Sequence, residues 1–352
     1  MLTDKKILVT GGTGSLGKVL IKRLLSGELG VPKKIIVFSR DEAKQHLMRI
    51  EYLNKKDPTD EIIYNNSKRV LQFIIGDVRD PHSLNSALKE VDVVFNAAAL
   101  KQVPSCEYFP FEAVQTNIMG PQNIVNAIKE LDLPIETVVG ISTDKACKPV
   151  NVMGMTKAIQ ERIFIQANMK CQSTRFICVR YGNVLASRGS VIPLFHEQII
   201  SGGPLTITTS DMTRFLLSLN QAVDTIFSAI KYANRGETYV PIVPSANIMG
   251  IAKVLIGKRD IKTVITGTRP GEKIHEILVS EEEVPRTIKR GDYYVILPLL
   301  PELRNCVIKE KILDCEYSSA DNLMNLEELQ KILSDYDLLL NDIKEDTEEL
   351  IR

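Results

Sequence analysis

The chain has 352 residues, 44% hydrophobic and 25% charged, enough for a full α/β domain and a smaller second lobe, because domains run about 100–200 residues. Its 44 lysines and arginines balance 44 aspartates and glutamates. No global field therefore draws in nucleic acid or an anionic membrane, and an anionic ligand must be held by local arginines and helix N-termini. Six cysteines without a Cys-x-x-Cys pair argue against zinc or a disulfide frame; with no signal peptide and no run of ~20 apolar residues, a cytoplasmic chain with reduced thiols and no metal is expected.

From the N-terminus, short β-branched runs alternate with helical patterns. Ile7–Thr10, Ile35–Phe38, Phe73–Gly76, Val93–Asn96, Thr137–Ile141 and Phe176–Val179 read as buried strands. Lys18–Leu25, Asp41–Leu53, Ala113–Glu130 and Thr156–Met169 read as helices between them. This alternation predicts an α/β fold, a Rossmann-like doubly wound parallel sheet of six strands. Beyond Asn183 glycine and proline become denser, and a helix is expected over Asn220–Ala233. The pattern predicts a dinucleotide-binding domain over 1–183, rejoined by 217–240. Residues 184–216 and 241–305 are expected to form a smaller substrate lobe, and 306–352 a helical tail in which Leu326, Leu329, Ile332 and Leu333 share one face. The stretch from Tyr52 to Ser67 is assigned no role.

The first strand runs into Gly11-Gly12-Thr13-Gly14-Ser15-Leu16-Gly17 and then a helix. In this context Gly11 permits a tight turn, Gly14 lets backbone approach a pyrophosphate and Gly17 allows close helix–sheet packing. Helix N–H groups would take the phosphates. Asp77-Val78 at the third strand end suits the adenine edge, and Ala97-Ala98-Ala99 offers small side chains where the dinucleotide passes. The second strand ends Ser39-Arg40-Asp41. A hydroxyl and a guanidinium suit a 2′-phosphate, so NADP is expected ahead of NAD, although Asp41 could reach a ribose.

The fifth strand ends Thr143-Asp144-Lys145, and the next helix carries Met153-x-x-x-Lys157. A four-residue spacing puts both side chains on one helix face. In short-chain dehydrogenases the first of these positions is a tyrosine acid/base; methionine has no proton to give.

These two motifs resemble those of the UDP-N-acetylglucosamine 4,6-dehydratase family of polysaccharide biosynthesis, an extended short-chain dehydrogenase/reductase family with tyrosine and methionine variants. Ala99–Pro104, Arg180–Pro193, Asp211–Phe215 and Gly267–Lys273 are similar to the same family, over about residues 5–285, with a fainter echo near Glu316–Ser319. The resemblance implies oxidation at C4 of the sugar, removal of the C5 proton, loss of the 6-hydroxyl and hydride return to C6, with C5 configuration kept or inverted. It implies Lys145 as base, Asp144 as acid and Lys157 on the nicotinamide ribose, and it leaves Thr143, Asp144 or Lys157 to take the O4 proton. For those roles burial must lower Lys145 and raise Asp144. It also implies Lys101, Asn183, Val184, Arg188, Arg214, Arg269 and Glu272 at the UDP-sugar, Lys101 and Tyr181 at the cofactor, and a homo-oligomer, a dimer or hexamer. Two other readings stand beside it: a UDP-hexose 4-epimerase, and a non-catalytic NADP-binding sensor or scaffold.

Overall fold

The structure, a computed structural model, describes residues 1–53, 70–185, 190–304 and 311–340. Most of the Tyr52–Ser67 stretch, Arg188 and the end of the tail lie outside the described residues. The six β-branched runs form β1 (Lys6–Thr10), β2 (Lys34–Ser39), β3 (Leu71–Ile75), β4 (Val93–Asn96), β5 (Thr137–Ile141) and β6 (Arg175–Val179). They pair in parallel in the order β3-β2-β1-β4-β5-β6. Every residue of β4 and β5 is buried, which is why these strands read as continuous apolar runs: helices cover both faces. Leu20 and Ile21 of the helix Ser15–Leu25 and Ile226 of the helix Leu219–Tyr232 pack on one face. Leu84, Ile124 and Phe164 pack on the other.

The chain then supplies β7 (Leu205–Ile207), β8 (Thr213–Phe215), β9 (Thr238–Pro241), β10 (Ser245–Asn247), β11 (Thr263–Ile265), β12 (Ile277–Val279), β13 (Thr287–Arg290), β14 (Tyr293–Ile296) and β15 (Tyr317–Ser318). Three of them enlarge the main sheet to nine strands: β9 lies parallel to β6, and the antiparallel hairpin β13–β14 closes its outer edge. Residues 287–296, expected in the lobe, thus belong to the sheet. All four residues of β9 are buried, and an uncovered edge there would leave backbone groups unpaired.

The short pairs β7–β11, β8–β10 and β12–β15 sit in the rest of the second half. A separate core there gathers Phe195, Leu205, Ile251, Leu329 and Leu333. The tail helix Leu326–Asp335, closed by an Asn325/Glu328 capping box, therefore packs on its own chain through Leu329 and Leu333, while Leu326 is exposed.

Two helices differ from the sequence reading. The pattern over Ala113–Glu130 divides into Pro110–Val114, a π turn over Gln115–Met119 and Gly120–Glu130. The helix read over Thr156–Met169 runs from Val152, so that it carries Met153 as well as Lys157 as expected, and the Asn151 side chain caps it by accepting a hydrogen bond from Gly154 N at 2.8 Å.

Candidate active site

Strand order reverses between β1 and β4, and a crevice opens at the C-terminal ends of such strands. A cleft of about 1360 Å³ runs from there into the second half of the chain. Its sheet side is formed by Gly11, Thr13, Gly14, Ser15, Leu16 and Gly17, by Ser39 and Arg40, by Asp77 and Val78, and by Ala97, Ala98 and Ala99.

The glycine loop is shaped for close approach. Gly11 has φ +65°, and a Cβ there would meet Ala98 N at 2.8 Å. A Cβ on Gly17 would strike Gly12 O at 2.5 Å. Gly14 caps the helix Ser15–Leu25 without any side-chain bond, and a Cβ there would touch only Gly11 O, at 3.3 Å. The first-turn N–H groups of that helix therefore face the cleft uncapped by a side chain, a fit for a pyrophosphate.

At the adenosine end, Asp41 accepts a hydrogen bond from Lys44 N at 2.9 Å and pairs with the Lys44 ammonium. Its carboxylate is engaged with its own helix. Arg40 is half-exposed, its guanidinium 3.8 Å from Asp77. Burial would raise Asp77, but its hydrogen bonds from Arg79 outweigh this and hold the carboxyl below its ordinary value. The Ser39 hydroxyl accepts from Gln45 Nε2 at 3.0 Å.

On the opposite side Thr143, Lys145, Met153, Lys157, Tyr181, Asn183 and Val184 line the cleft, with Lys101, Arg214, Arg269 and Glu272 farther along. Met153 packs with Cys106 and Ala113, beside Leu100 and Val103. Lys157 is buried and donates to Ile141 O at 2.5 Å and to Gln160 Oε1 at 2.6 Å; burial lowers its pKa to about 8. Arg269 is exposed, whereas Arg214 is buried and donates to the carbonyls of Thr213 and Ile274. One Glu272 carboxylate oxygen is buried without a partner.

Asp144 is the exception among the expected residues the structure describes. It is fully buried behind the cleft wall, where its Oδ1 accepts from Thr143 Oγ1 at 2.8 Å and from Lys145 Nζ at 3.0 Å. Burial pushes its carboxyl up, as the sequence leads one to expect. Lys145 goes the other way. Burial would lower it, but Asp144 and Glu276, 3.0 and 3.1 Å from the amine, outweigh burial and hold it above its ordinary value. The resting amine is therefore an ammonium, and it also donates to Asn183 Oδ1 at 3.1 Å.

Sequence reasoning did not single out Glu276, although it lies three residues past the Gly267–Lys273 motif and lines the cleft. It also missed the girder behind the site. Arg180 donates to both carboxylate oxygens of Glu161 and of Glu283, and to Leu278 O. Glu161 in turn accepts from Ser142, the residue before the Thr143–Lys145 turn. Among the described residues no cluster suits a metal ion, and no helix is long and apolar enough to cross a membrane.

Residues 7–298 match the family described as "Polysaccharide biosynthesis protein". The chain is 42% identical over 356 residues to a UDP-glucose 4-epimerase of Rickettsia bellii, covering 98% of this chain and 99% of that one. The structure superposes on that of Pen from Bacillus thuringiensis with a TM-score of 0.85 and 34% identity, over 96% of this chain and 100% of that one. DesIV, a dTDP-glucose 4,6-dehydratase from Streptomyces venezuelae solved with NAD and TYD, shares the fold at a TM-score of 0.63 and 20% identity, over 76% and 86% of the two chains.

Proposed function

The chain belongs to the polysaccharide biosynthesis protein family, and from that premise we propose that it removes water from UDP-N-acetylglucosamine, giving a UDP-2-acetamido-2,6-dideoxy-4-hexulose. The observation that carries this reading is the Lys145 amine at the cleft wall, bonded to two carboxylates, in a cleft also lined by Met153 at the position of the usual acid/base. The glycine loop and Lys157 would hold a nicotinamide dinucleotide, which would supply the redox chemistry, reversible hydride transfer, with no net change in the cofactor.

The chain's own residues handle the protons. The 4-ketone acidifies C5–H, and Lys145 takes that proton once its own has passed to a neighbouring carboxylate across about 3 Å. Asp144, whose carboxyl burial raises, is the carboxylate that receives the Lys145 proton, and it is linked to the cleft through the Thr143 hydroxyl and the Lys145 amine. By those routes it supplies the proton with which O6 leaves as water. Thr143, Asp144 and Lys157 remain the candidates to take the O4 proton. Arg214, Arg269 and Asn183 are assigned to the UDP-sugar, with Lys101, Val184 and Glu272 beside them; Arg188, which belongs to the same expectation, lies outside the described residues.

A second reading is a UDP-hexose 4-epimerase, favoured by the similarity to the UDP-glucose 4-epimerase of Rickettsia bellii. Epimerisation conserves mass. Incubation of the purified chain with UDP-N-acetylglucosamine should give a product lighter by one water; an isomer of unchanged mass would support the epimerase.

We assign NADP as the cofactor, with NAD as the alternative, because Arg40 is open to solvent while Asp41 is occupied by Lys44. Arg40→Ala should weaken NADP binding about 10-fold, the range of one charge-assisted hydrogen bond, and leave NAD binding unchanged in calorimetric titration. Equal affinities for both dinucleotides, or an unchanged NADP affinity in Arg40→Ala, would overturn the NADP assignment. Tyr108, Phe109 and Phe111 are exposed in and beside the helices Val103–Tyr108 and Pro110–Val114, as are Met155 and Ile159 on the helix Val152–Lys170 that the first of these helices contacts. This supports a homo-oligomer, and light scattering should return a multiple of 39.4 kDa.

A further inference from the structure

We propose that Glu276 is a positioning residue that fixes the Lys145 amine at the cleft wall, and that residues 316–319 serve the site by holding Glu276 in place. The first half of this inference rests on the dehydratase reading only for its kinetic consequence.

Lys145 is gripped from two sides. Asp144, its neighbour in sequence, holds it from the turn after β5, and Glu276 holds it from the segment leading into β12, with Nζ to Oε1 at 3.1 Å. Glu276 is 2% exposed. Its other carboxylate oxygen is buried and has no hydrogen-bond partner. A buried carboxylate left half-bonded is costly, and the charges around it explain why it persists. Lys145, Arg214 (Nε at 4.0 Å) and Lys273 all face it.

The backbone of Glu276 is fixed from the tail. Glu276 N donates to Ser319 Oγ at 2.9 Å, and Ser319 N donates to Glu276 O at 2.8 Å. The Ser319 hydroxyl also meets Thr213 Oγ1 at 2.7 Å, and Thr213 Oγ1 lies 2.8 Å from His275 Nδ1. Ser319 is fully buried. The tail thus reaches back across 43 residues of sequence to a group bonded to the candidate base. This gives the Glu316–Ser319 segment a task that the cleft lining alone does not.

Glu276 also sets the charge of Lys145. The groups facing that amine are Asp144 and Glu276, which favour the ammonium, and Arg214, which opposes it; Lys273, attracted to the same Glu276, repels it too. Removing the Glu276 charge leaves one carboxylate against these cations and the burial cost, so Lys145 must titrate at lower pH.

The test compares the full-length protein with Glu276→Gln, whose side chain has the same shape without the charge. Reductive ¹³C-methylation of lysines, with Lys145→Arg to identify the resonance, follows Lys145 by NMR without any turnover. The expected result is a downward shift of its titration in Glu276→Gln. In turnover of UDP-N-acetylglucosamine, kcat should fall about 10- to 100-fold, the range of a charged hydrogen bond, with UDP affinity unchanged by calorimetry and the alkaline limb of the pH profile displaced downward. An unmoved Lys145 titration overturns the proposal whatever the enzyme does. A shifted titration in a protein that dehydrates no UDP-sugar upholds it and sinks the dehydratase reading instead. Should Glu276→Gln fail to fold, Ser319→Ala carries the test: a smaller shift in the same direction supports the tether, and none refutes it.

Discussion

Lys145→Ala should lower turnover by about 10³- to 10⁴-fold, in the upper range for loss of a general base, and should abolish exchange of the C5 proton with solvent. The substitution removes an amine that lines the cleft and touches two carboxylates. It also leaves Asp144 and Glu276 sharing a buried site without their common cation, so one of them must hold a proton there at neutral pH. Melting temperature and UDP binding serve as controls, because a collapsed fold would lose both together with activity. Retained exchange at C5 in a folded Lys145→Ala protein would remove Lys145 from the chemistry.

The second large effect is on stability. Arg180 is 2% exposed and bonds to two buried carboxylates on different parts of the chain. Arg180→Met removes the cation and leaves both acids buried without it, which should cost about 3–5 kcal/mol in urea unfolding at pH 7. The pH dependence distinguishes this from simple loss of packing. Burial would raise Glu283, but Arg180 outweighs it and the carboxyl is held at about 2, against an ordinary 4.5. A depressed native value means that the unfolded chain binds the proton more readily, so this contribution is complete above the ordinary carboxylate range. It is then lost as pH falls from about 4.5 towards 2. In Arg180→Met only Arg286 and the Ser280 N–H oppose burial at Glu283, so its carboxyl rises and the loss of stability between pH 4.5 and 2 should shrink. An unchanged acid profile would show that the girder contributes little.

The parts of this molecule that follow from local pattern were legible in the sequence. The strands β1 to β6, the glycine loop and the opening of its helix depend on residues within a few positions of one another, where periodicity and glycine placement carry the information. Nearly all the expected cleft residues that the structure describes line one cavity for the same reason: in a doubly wound sheet, strand ends converge. What was not legible is long-range pairing. Nothing near Arg180 announces Glu283, 103 residues away, and nothing near Lys145 announces Glu276. The lowering by burial that the implied role of Lys145 requires is outweighed by two carboxylates, of which only Asp144 is its neighbour in sequence. Asp144 illustrates the same limit. Its place at a strand end suggested a side chain on the cleft, and the turn after β5 instead sends it behind Thr143. The hairpin β13–β14 was passed over because its role, covering the edge of β9, is visible only once the sheet is assembled.

The central claim is that the Lys145 amine removes a proton from C5 of a hexose lying in this cleft, and that water is then lost. Incubating the protein with UDP-N-acetylglucosamine in deuterated water and reading the product by mass and proton NMR tests it directly. The account predicts a 4-keto-6-deoxy sugar that has lost one water and carries deuterium at C5, with the hydrogen from C4 now at C6. A product of unaltered composition, with protium still at C5 and only C4 inverted, would contradict it.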